Sequence, residues 1–129
     1  MATDSTQTYV TDRKRATGLG SGRAGTQHHW QMMVSSMLLG IVIPAFLITF
    51  ALGLGGTYDD AVAFYGKPIP AIILALSWVV IVRHMMNEAL EAIEDYVHGV
   101  AGKLTQVATT AFSYTLMAVG VFAVARMAI

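Results

Sequence analysis

Residues 68–99 read PIPAIILALSWVVIVRHMMNEALEAIEDYVHG, and this stretch decides the fold. Its first half is apolar enough to enter a bilayer. Its second half keeps helix-forming residues but adds Arg83, His84, Glu88, Glu91, Glu94, Asp95, Tyr96 and His98. Pro68 and Pro70 suit the first turn of a helix, where a missing N–H costs nothing. Read as a helix to Val97, the segment is ~42 Å long at 1.5 Å per residue. That outruns a hydrocarbon layer of ~30 Å. One rod is therefore expected to cross a membrane and to carry polar groups out of its inner end.

The rest of the chain agrees with a bilayer as solvent. Of 129 residues, 55% are hydrophobic and 12% charged, about half the charge of a typical soluble domain. Formal net charge is zero, so there is no electrostatic footprint for nucleic acid. There is no cysteine, which excludes disulfides, thiolate metal sites and iron–sulfur clusters held by this chain.

Working outward, residues 24–58 contain no Lys, Arg, Asp or Glu, and the apolar core at about 32–54 is long enough to span. Thr26 is the expected N-cap. His28, His29 and Trp30 sit where amphipathic rings favour the headgroup level. Pro44 should kink this helix. Residues 57–67, TYDDAVAFYGK, read as a short connection with one amphipathic turn. Gly99 reads as a C-terminal cap, and Lys103 opens a third uncharged run that Arg126 closes. The expectation is an all-α membrane protein of three transmembrane helices, about 31–54, 69–97 and 104–126. A polar arm over 1–30 precedes the membrane domain over 31–129. The apolar run starts late, so no cleaved signal is expected. GLGSG at 18–22 lacks a preceding strand and reads as a flexible tether, not a phosphate loop.

Basic residues set the orientation. With the N-terminus in the cytoplasm, Arg13, Lys14, Arg15, Arg23 and Lys103 lie inside, and only Lys67 and Arg126 lie outside. The C-terminus is then periplasmic, and the second helix ends at the cytoplasmic face.

His84 falls ~21 Å beyond Pro70 along that helix, within the hydrocarbon. An ionisable side chain there is expensive and is by default functional. Neutral imidazole is a common axial ligand of haem iron, and a hydrogen-bonded packing histidine is the plainer alternative. At 100° per residue Glu88, Glu91 and Asp95 fall within about 40° of His84 and make one polar stripe. The stripe either relays protons or faces water and a partner. Arg83 points elsewhere, near Asn87, to bind an anionic group or to snorkel. Tyr96 with Asp95 is either a donor to a carbonyl ligand or an ordinary interfacial tyrosine.

The combination is more specific than its parts. DRKRATGLGS, GTQHHW, three spans and a second span ending in His84, ten residues, then DYVHG resemble the D-type membrane anchor of succinate dehydrogenase, respiratory complex II. The likeness is to alphaproteobacterial versions and runs from about Thr11 into the third helix. It implies a bacterial inner-membrane subunit with no catalytic residue of its own. It implies pairing with a second three-helix anchor of C type, and docking of an iron–sulfur subunit and a flavoprotein that hold the clusters and FAD. It implies that His84 ligates a b-type haem, that Tyr96 binds ubiquinone, and that Asp95 supports quinone protonation. Arg83 becomes a candidate for a haem propionate. The sequence departs from the resemblance at Met33, where many members have arginine, and at Glu88, where many have glycine. Three other readings compete. A proton-coupled transporter would use Glu88. A cofactor-free assembly subunit would tolerate loss of His84. A fumarate reductase anchor differs only in the preferred direction.

Overall fold

The computed structural model describes residues 11–20 and 24–129, and among them every regular element is helical. The elements are α1 (Asp12–Thr17), α2 (Ala24–Gly53), α3 (Tyr58–Tyr65), α4 (Pro68–Tyr96) and α5 (Gly99–Ala128). The chain divides into two compact units, Met1–Trp30 and Gln31–Ile129.

In the first unit α1 is a short exposed helix. Thr11 caps it, its hydroxyl accepting from the Lys14 N–H at 3.2 Å. Gly18 ends it with φ 55°, a left-handed conformation that glycine adopts without strain. Arg13, Lys14 and Arg15 lie on this helix; Arg23 of the basic arm lies outside the described residues. Thr26 is not the N-cap: α2 already begins at Ala24, so Thr26 sits inside its first turn. No charged residue opposes an earlier start, and helix ends read from sequence carry that uncertainty.

The second unit is built on an α4–α5 hairpin. Val97 and His98 alone join the two helices, and so short a link makes them antiparallel neighbours. Gly99 does not cap α4. It opens α5 at φ 72°, and Val97 caps α4 through its N–H to Ile93 O. The third helix therefore starts four residues before Lys103. α4 turns Ala71, Leu74, Ser77, Val82 and Met86 inward, with gaps of three or four residues except for the five between Ser77 and Val82. The Trp78 indole N–H donates to Leu116 O at 2.9 Å across the hairpin. Gly120 lies directly beneath that indole, which leaves no room for a Cβ.

In residues 57–67 the expected turn is the eight-residue helix α3. Thr57 and Asp60 form a capping box at the start of α3: Thr57 N–H donates to Asp60 at 2.9 Å, and the Asp60 N–H returns to the Thr57 hydroxyl. Tyr65, buried at the other end, donates from its hydroxyl to Phe50 O at 2.6 Å. At the end of α2 the Leu54 N–H turns to Ala51 O, so Phe50 O needs that outside donor.

α2 is apolar on all sides and buries only Met32, Thr49 and Gly53. It runs through Pro44 without interruption. Its backbone stands off from α4 and α5, and it reaches the hairpin through side chains. Large apolar residues cover its surface and that of α5, among them Ile41, Ile48, Leu52, Phe112 and Phe122. A helix apolar all round is stable in lipid or against another apolar protein, not in water. α2, α4 and α5 are each long and apolar enough to cross a membrane.

Candidate functional site

His84 lies just past the middle of α4, where the apolar half gives way to the polar one. Its side chain is 11% exposed. Nδ1 lies 2.9 Å from Oγ of Ser35 on α2. On the other side of the ring, Nε2 lies 3.4 Å from Oε1 of Glu88, one turn further along α4. That distance is long for a hydrogen bond, so the contact is electrostatic at most. Glu88 is half exposed and can leave.

Ser35 has a second contact. Its hydroxyl is 2.9 Å from the Met32 carbonyl, within reach as a donor, and the neighbouring Ser36 donates to the same carbonyl. The sequence reading did not single out Ser35. The available signal was a pair of serines inside an otherwise apolar span, and nothing in the spacing says which helix they face.

Arg83 is exposed beside His84 on α4, and no described residue pairs with it. A guanidinium placed in a membrane span without an acid among the described residues has to be met by something else. Asn87 shares its side of the helix one turn on. Glu94 is engaged otherwise, accepting from Gln106 of α5 at 3.3 Å. Asp95 and Tyr96 close α4 and are both exposed, Tyr96 at 84%. They stand ~18 Å along the helix from His84.

Three grooves mark the surface of the second unit. One of about 490 Å³ runs between α4 and α5 past Leu90, Glu94 and Gln106. Another, of about 410 Å³, lies over Trp78, Met85 and Phe112, and a smaller one over Phe46, Phe50 and Gly120. None of the three is lined by His84, Asp95 or Tyr96. The structure thus brings Ser35, His84 and Glu88 together and leaves Arg83, Asp95 and Tyr96 as open edges. Among the described residues no cluster of three or more His, Asp and Glu could hold a metal ion alone.

Three long apolar helices with one oriented histidine inside a span can be compared with known proteins. The profile for the succinate dehydrogenase/fumarate reductase transmembrane subunit matches residues 7–125. The chain is 39% identical over 119 residues to the succinate dehydrogenase hydrophobic membrane anchor subunit of Paracoccus denitrificans, covering 92% of each chain. The chain belongs to the succinate dehydrogenase/fumarate reductase transmembrane subunit family.

As a member of that family it is a multi-pass membrane protein, the membrane anchor subunit of a larger complex. The succinate dehydrogenase/fumarate reductase match covers α2 and α4 and all but the last three residues of α5, and it includes Ser35, His84 and Tyr96. No solved structure matches the chain.

Proposed function

We propose that this chain is the D-type anchor of a succinate:ubiquinone complex in a bacterial inner membrane, and that it binds haem b and forms half of a quinone site. The N-terminal arm, residues 1–30, lies in the cytoplasm, the membrane domain follows from residue 31, and the C-terminus is periplasmic. A C-type anchor completes the membrane domain, and an iron–sulfur subunit and a flavoprotein dock at the cytoplasmic end of α4. Succinate oxidation belongs to those soluble partners, and this subunit holds no catalytic residue.

The observation that carries the haem assignment is the His84 environment. The ring is mostly buried, its Nδ1 is held by Ser35, and its Nε2 meets only a movable carboxylate. Those residues would hold a haem iron, since a ligating histidine presents one ring nitrogen and anchors the other. Arg83, exposed beside the ligand, supplies a cation for a propionate. When bound, haem b would supply a one-electron store inside the membrane.

Tyr96 and Asp95 fit a quinone site completed by neighbours. The phenol sits at the inner rim, free to donate to a quinone carbonyl, and the adjacent carboxylate orients it and passes protons from water. Ubiquinone reduction takes up two electrons and two protons, and the exposed end of α4 is open to solvent for the latter.

The optical spectrum of the purified complex tests the haem assignment. A dithionite-reducible b-type signal that is lost with His84→Ala is the expected result. Its persistence in His84→Ala removes the ligand role.

A further inference from the structure

We propose that Ser35 is a positioning residue for the haem ligand: it fixes the His84 imidazole as the Nδ1–H tautomer and so presents a bare Nε2 to iron. The inference rests on His84 being the ligand, as proposed above.

The argument turns on one hydrogen. A serine hydroxyl carries a single proton and two acceptor lone pairs. Ser35 Oγ has two neighbours, Met32 O and His84 Nδ1, both at 2.9 Å. A carbonyl can only accept. If the proton goes to Met32 O, the lone pairs of Oγ face Nδ1, and the ring must donate from Nδ1. The neutral ring then has no proton on Nε2. If the proton goes to Nδ1 instead, the neutral ring carries its proton on Nε2, and that nitrogen cannot bind a metal. The Nε2–Glu88 separation of 3.4 Å gives that second arrangement no good hydrogen bond in return. The first arrangement satisfies the serine proton and the Nδ1 proton together.

Ser35 also ties the ligand to a different helix. α2 keeps its backbone away from α4, so this bond is a side-chain link between the two at the level of His84. The Nδ1–H contact fixes the ring plane as well as its tautomer, and an acceptor on Nδ1–H makes Nε2 a stronger donor to the metal.

The test uses the assembled complex with Ser35→Ala, Ser35→Thr and Ser35→Cys, and His84→Ala as the control. Readouts are haem transfer to an apo-globin acceptor, the electron paramagnetic resonance spectrum of the ferric haem, and its midpoint potential. Ser35→Ala is expected to speed haem loss by about 10–100-fold, the usual effect of removing such a partner. It should also raise the midpoint potential, because a weaker donor favours ferrous iron, and shift the ferric signal. Ser35→Thr keeps the hydroxyl and should restore all three. If Ser35→Ala does not assemble, Ser35→Cys keeps the packing with a weak acceptor and carries the same readouts. Unchanged haem loss, potential and spectrum in the Ala or Cys variant overturns the positioning role. Haem bound normally in His84→Ala overturns the ligand assignment instead, so the two failures are distinct.

Discussion

Glu88 Oε1 stands 3.4 Å from Nε2 of His84, on the side of the ring away from Ser35. The nitrogen proposed for iron thus has a carboxylate of its own chain as neighbour. A negative charge near a haem stabilises the ferric form. Glu88→Gln is therefore expected to raise the haem midpoint potential without removing the haem, as read by redox titration of the b-type band. An unchanged potential would mean that the carboxylate has turned away to water in the assembled complex.

Tyr96 is 84% exposed in this chain, and the proposed quinone site requires it to be covered on assembly. Tyr96→Phe should lower quinone reductase activity by about 10-fold or more, the order of a lost polar contact to a buried ligand group. Succinate oxidation with an artificial acceptor should be unaffected. Equal loss of both activities would indicate faulty assembly.

The Tyr65 hydroxyl serves Phe50 O, a carbonyl at the frayed end of α2. Removing the donor leaves that acceptor without its partner, which costs about 1–3 kcal/mol where the group is buried. Tyr65→Phe should lower the Tm of the detergent-solubilised complex while leaving the haem spectrum unaltered. Gly120→Ala should do the same at the other tie, because a methyl there displaces the Trp78 indole from Leu116 O. Overpacking of this kind costs about 1–3 kcal/mol.

The Thr57 side-chain and backbone bonds hold the Asp60 carboxyl below its ordinary value. Its lowered value in the folded state fixes the sign of the pH effect. The box contributes fully above the ordinary carboxylate value, about 3.9, and fades as pH falls through the lower folded value. Amide-exchange protection at Asp60 and Ala61 should drop over that acidic window. Asp60→Asn should flatten the pH dependence.

How much was legible beforehand differs between the rods and their contacts. The three spans follow from composition, since residues 32–54 and 104–125 hold no charge and so have one inexpensive place to be. Helix ends were harder. Gly99 was misread because a glycine with positive φ serves equally to leave one helix or to enter the next, and only the two-residue link decides between them. Thr26 was misread because a polar residue in an uncharged stretch does not oblige a helix to begin there. Of the site, His84 stood out because a titratable group in a span needs a reason. Ser35 did not, because a hydroxyl in a membrane helix can always return its proton to its own backbone. Its partner is 49 residues away, and no local pattern encodes such a meeting.

The stand-off of α2 has a consequence for the membrane around it. With α2 tied to its neighbours by side chains and not by close backbone packing, its apolar surface is left for lipid or for another apolar protein. The same helical unit thus offers hydrocarbon a rod it accepts and, at Arg83, a cation it penalises.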